Sequence, residues 1–72
     1  MSYPKVKDFL SHVVTGTNVL IEDDIIEDYV YFEGTVRDYI DSVVSLENLT
    51  LIQSSVKDNV LNLKALKDYD QD

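Results

Sequence analysis

Apolar residues recur at a helical period in two stretches of the chain and at strand-like periods in four. Within 5–14, Val6, Phe9, Leu10 and Val13 stand at i, i+3, i+4 and i+7, one face of a helix of about three turns. Ser2 and Pro4 suit its start and Gly16 its stop. The β-branched stretch 17–22 predicts a strand, and 29–33 (Tyr-Val-Tyr-Phe-Glu) predicts its hairpin partner across an acidic loop. Ile25 and Ile26 blur the length of that loop. Gly34 breaks the second strand, and Thr35-Val36-Arg37-Asp38 has the form of a capping box with Asp in the acidic role. Val36, Tyr39, Ile40, Val43 and Val44 then repeat the helical face over 35–45. Finally, 49–56 and 60–66 are strand-like and bracket Asp58-Asn59, two residues that tolerate the left-handed backbone of a tight hairpin turn.

The resulting order, α-β-β-α-β-β, repeats itself. Sliding 6–33 onto 36–63 without a gap matches seven identities in 28 pairs, among them Val6/Val36, Asp8/Asp38, Val13/Val43 and Asn18/Asn48. Composition alone would give roughly two. The pattern predicts an α+β fold with an internal αββ repeat: a four-stranded, antiparallel-rich sheet carrying both helices on one face. Residues 1–66 form the single domain of this reading and 67–72 a polar, frayed tail. Val13 and Val43 are expected in the core. Leu20, Ile52, Val60 and Leu66 make several strands apolar on both sides, so the uncovered sheet face should hold apolar residues, and a homodimer is the simplest cover.

Charge sharpens the picture. The chain has 72 residues and a formal charge of −8. Between 22 and 47 nine acids meet one base, Arg37, whereas outside that window five acids balance five bases. An excess of this sign argues against direct nucleic-acid binding. Apolar runs are too short to span a bilayer, and the absence of cysteine excludes disulfides and thiolate chemistry while fitting a cytoplasmic location.

Little of the remaining chemistry points to catalysis. His12 is the one histidine and lies beside the apolar stripe of the first helix, with no second histidine or cysteine to share acid–base work. Gly16 and Gly34 are the only glycines, too few for a phosphate-cradling loop. The run Glu22-Asp23-Asp24-Ile25-Ile26-Glu27-Asp28 offers carboxylates but lacks the alternate-residue spacing and central glycine of a calcium loop. No catalytic residue, metal site or cofactor is expected, and the chain reads as a non-enzyme. Instead, Glu22, Asp23, Asp24, Glu27 and Asp28 are candidates for an acidic patch directed at a basic protein surface. Tyr29 and Tyr31, alternating with Val30 and Phe32, are candidates for a second contact on a sheet face.

Val-Lys-Asp-Phe-Leu at 6–10, Phe-Glu-Gly-Thr-Val-Arg-Asp-Tyr-Ile at 32–40 and Ser-Val-Lys-Asp-Asn-Val-Leu-Asn-Leu at 55–63 resemble small acidic proteins encoded by phages and prophages of Gram-positive bacteria. The resemblance implies expression in a host cytoplasm and carries no assigned activity. Three functions compete: a module that binds a host or phage protein, a nucleic-acid mimic that inhibits a host defence or DNA-processing enzyme, and an assembly-accessory protein.

Overall fold

Two β-hairpins lie side by side in one sheet in the computed structural model, which describes residues 3–69. The elements are α1 (Val6–Leu10), β1 (Asn18–Asp23), β2 (Val30–Thr35), α2 (Val36–Ile40), a 3-10 turn (Val43–Leu46), β3 (Leu49–Lys57) and β4 (Val60–Lys67). The sheet order is β2-β1-β4-β3, so the hairpins meet through their inner strands. β1 and β4 run parallel, with Val19 opposite Leu61, Ile21 opposite Leu63 and Asp23 opposite Ala65, while both outer pairings are antiparallel. The sheet is therefore mixed, and the α+β order read from the sequence stands.

Period-two alternation divides the sheet into two faces. Val19, Ile21, Leu63 and Ala65 point to one face, where Val6 and Leu10 of α1 and Val36 and Tyr39 of α2 close over them together with Leu49 and Leu51. Helix α1 packs on β3 and α2 on β2. The start of α2 is fixed by the Thr35 hydroxyl, which accepts the Asp38 N–H at 3.2 Å, and by the Thr17 and Thr15 carbonyls, which accept from Val36 and Arg37.

The helices are shorter than the apolar pattern predicts, and serine explains both stops. Ser11 turns its hydroxyl onto the Asp8 carbonyl at 2.6 Å, and Ser42 does the same to Tyr39 at 2.7 Å, each competing with the helical ladder. Ser42 then takes an extended backbone, which resets the phase of everything after it. Val43 swings out to 78% exposure while Val44 packs inward, so the expectation that Val43 belongs to the core is corrected: a carboxylate there would be solvated. Ile40 is likewise exposed; Val13 is half-buried against the core and Val14 is exposed. Lys5 occupies the N-cap position of α1 without a side-chain cap hydrogen bond, one residue after Pro4; Ser2 lies outside the described residues.

The α-β-β order occurs twice, but the two halves do not share environments. β1 and β2 have six residues each, β3 and β4 nine and eight, and the matched pair Val13/Val43 differs in burial. At the chain's end, Lys67 closes β4 opposite Leu49, and the Asp68 N–H reaches the Asn48 carbonyl at 2.7 Å. Of the predicted tail, 70–72 lie outside the described residues.

Candidate functional site

The β1–β2 connection is long, and its backbone is pinned by a single side chain. Asp23 ends β1 with its carboxylate turned inward, only 8% exposed. One carboxylate oxygen accepts the N–H groups of Ile25 (2.8 Å) and Ile26 (2.6 Å), and the other accepts the Tyr31 hydroxyl at 2.5 Å. Aspartate suits this position because its short side chain can satisfy backbone donors two and three residues on. The Asp23 N–H donates to the Tyr29 carbonyl and the Asp24 N–H to the Ala65 carbonyl, both at 2.9 Å. Asp28 completes the loop in the left-handed region, φ 60°.

The same contacts shift two pKa values. The Ile26 N–H, the Tyr31 hydroxyl and the Ile25 N–H hold the Asp23 carboxyl below its ordinary 3.8. Burial, reinforced by the hydrogen bond to Asp23 and its charge, pushes the Tyr31 phenol up to about 12.

What the loop presents outward is apolar. Ile25 is 76% exposed and Ile26 57%, with Tyr29 and Val30 about half exposed beside them. Full burial of an isoleucine is worth about 1.5–3 kcal/mol, so the pair leaves on the order of 3 kcal/mol of hydrophobic stabilisation unrealised. Interleaved with them, Glu27 and Asp28 are exposed and Asp24 half-buried. The loop thus offers an apolar tip between carboxylates on a backbone already ordered by folding.

The five acidic residues predicted as one patch are therefore divided. Asp24, Glu27 and Asp28 belong to the loop surface. Asp23 is a structural clamp, its carboxylate taken up by the Ile25 and Ile26 N–H groups and the Tyr31 hydroxyl. Glu22 points to the helix-free side of the sheet and pairs with Lys64 at 3.3 Å, a base 42 residues away that no local charge count reveals.

The two tyrosines meet edge to face, ring centroids 5.0 Å apart, but they do not form one side of a regularly alternating strand. A β-bulge between Ile21 and Glu22 breaks the alternation, so Tyr31 and Phe32 both pack against the core while Val30 is exposed. Phe32 continues inward to an edge contact with Tyr39 at 5.5 Å. Sequence reasoning passed over Ile25 and Ile26 as contact residues. Their signal was available: two isoleucines inside a run of five acids have no strand pattern to join.

Elsewhere the chemistry is sparse. Among the described residues no cluster of three His, Cys, Asp or Glu could hold a metal ion, and His12 is exposed at the end of α1. A shallow groove of about 310 Å³ runs between α1 and the 3-10 turn, with Lys5, Lys7, Leu46 and Glu47 on its walls. Its charges are mixed and nothing in it converges on one point. No described helix is long and apolar enough to cross a membrane. Comparison with protein-family models, curated proteins and solved structures finds no match to this chain.

Proposed function

We propose that the chain is a non-catalytic protein-binding module, cytoplasmic and of phage or prophage origin, that engages its partner through the β1–β2 loop. The observation that carries this reading is the exposure of Ile25 and Ile26 on a backbone clamped by Asp23. A flexible loop would charge its ordering entropy, roughly 1–2 kcal/mol per residue, against binding. Here that ordering is completed on folding. The complementary surface is an apolar socket rimmed by lysine or arginine, to match Asp24, Glu27 and Asp28. The cytoplasmic and phage assignments rest on the missing cysteine and the sequence resemblance.

Mimicry of nucleic acid is the weaker alternative. Duplex DNA carries one charge per ~1.7 Å of axis, and with Asp23 turned inward and Glu22 paired, three loop carboxylates imitate very little of it. The chain is further proposed to self-associate as a homodimer.

Affinity capture from a Gram-positive lysate with parent and loop variants in parallel tests the main reading. Ile25→Ser/Ile26→Ser is expected to melt like the parent and to lose the captured protein, by about 100-fold if the unrealised burial is recovered on binding. Glu27→Gln/Asp28→Asn is expected to keep it with slower association and a flatter salt dependence. A partner retained equally by both variants overturns the loop as the binding surface.

A further inference from the structure

The side of the sheet away from the helices carries a pattern of its own. Leu20, Ile52, Val60 and Leu66 are half-buried, yet none belongs to the core or packs against it, because the helices cover only the opposite face. Around them the charges separate by strand. Glu22 and Glu33 lie on the β2–β1 half, the register placing Glu33 opposite Leu20. Lys64 and Lys57 lie on the β4–β3 half, opposite Gln53 and Val60. Lys5 adds a third base at the far edge, bridged to β3 at Thr50 with its ammonium 3.0 Å from the Thr50 hydroxyl. Only Glu22 and Lys64 neutralise one another, at the centre. Leu20, Val60 and Leu66 share the two central strands with Asn18, Asn62 and the Glu22–Lys64 pair, while the unpaired charge is acidic on one side at Glu33 and basic on the other at Lys57.

We propose that this face is where two copies of the chain meet, stacked about a two-fold axis parallel to the strands, the acidic half of each over the basic half of the other. The inference rests on the proposed homodimer and gives it a geometry. Two sheets stack about 10 Å apart with their strands within about 30° of parallel, and charge selects between the two in-plane axes. A two-fold axis perpendicular to the strands lays the acidic half of one copy over the acidic half of the other, and the basic half over the basic half. An axis parallel to them exchanges the two sides and brings Glu33 of one copy toward Lys57 of the other. The β1–β2 loops then stand at the same end of the dimer, about two strand spacings apart laterally and one sheet spacing in depth, roughly 14 Å in all and beyond the ~8 Å Debye length at physiological ionic strength. Their like charges therefore oppose the pairing weakly, and both loops stay free for partners.

Four strands about 4.8 Å apart and about six residues long span roughly 400 Å² of face per copy. Two such faces bury roughly 800 Å² in total, below the ~1,200 Å² of standard specific interfaces, so the pairing belongs with weak, transient contacts.

Sedimentation equilibrium on the full chain, across about 1–100 µM, tests it. The expected species is a dimer of twice 8.2 kDa. Leu20→Glu should abolish it. Glu33→Lys and Lys57→Glu should each weaken it at least about tenfold, and the double variant should recover most of the parent affinity. Circular dichroism should stay unchanged throughout, since none of these positions is core. A monomer at every concentration overturns both the self-association and this interface. A dimer indifferent to Leu20→Glu leaves self-association standing and overturns the face. A double variant as weak as the singles overturns the two-fold arrangement.

Discussion

The two hairpin connections solve the same problem in opposite ways. Between β3 and β4 the chain reverses in two residues, Asp58 and Asn59, both left-handed at φ 54° and 64°. That is the shortest turn whose twist matches the strands it joins. Between β1 and β2 it spends residues 24–29, adds a bulge, an inward carboxylate and a half-buried phenol, and leaves two isoleucines in water. Joining two strands needs none of that. The long connection is held by the Asp23 hydrogen bonds while keeping apolar surface exposed, and the proposed contact surface rests on this excess over connectivity.

Substitutions that respect one connection should break the other. The largest stability effect is expected at the short turn. Asp58→Val/Asn59→Val forces two β-branched residues into the left-handed region at about 1–2 kcal/mol each, whereas Asp58→Gly or Asn59→Gly should be close to neutral. Urea midpoints measure this. Unchanged stability in the valine variant would mean that the turn does not hold its left-handed geometry.

The long connection should show its clamp in the pH dependence. Asp23 has its folded pKa lowered, so its contribution is present above 3.8 and lost as pH falls through the lower folded value. Tyr31 has its folded pKa raised, so its contribution is full below 10 and is lost as pH rises toward about 12. Tyr31→Phe should flatten the alkaline limb, and Asp23→Ala should lower the melting temperature across the plateau and reduce the acid-side slope. Equal pH profiles for parent and both variants would show that the Asp23–Tyr31 bond contributes nothing.

The two connections also differ in how far each can be read from the sequence. The short turn is legible because its chemistry is local: Asp and Asn tolerate positive φ wherever they stand between two strand patterns. So is the start of α2, where Thr35 caps its own helix. The clamp is not legible, because its function depends on Tyr31, eight residues on, and on a bulge set by pairing with β1. Local period likewise misled at Val43, where one serine hydroxyl turns the helix phase, and at Glu22, whose partner Lys64 arrives from a parallel strand. The α+β order survives because it depends on periodicity; the membership of the acidic patch does not, because it depends on which way individual carboxylates point.

A smaller effect lies in the core beneath both hairpins. Tyr39 is 1% exposed, burial pushes its pKa up, and its hydroxyl has no hydrogen-bond partner among the described residues. Tyr39→Phe keeps the edge contact with Phe32 and removes a desolvated hydroxyl, so a gain of about 1 kcal/mol in thermal or urea unfolding is expected. A loss of that size would mean the hydroxyl is satisfied.

The claim that the long loop is a rigid surface, and not merely an exposed one, has a direct test in backbone ¹⁵N relaxation of the parent chain. Order parameters for the amides of Ile25 and Ile26 should match those of the flanking strands, near ~0.85, and should drop in Asp23→Ala while Asp58 and Asn59 stay unchanged. Values below about 0.6 for Ile25 and Ile26 in the parent would contradict the account, since a loop that mobile brings no ordered surface to a partner.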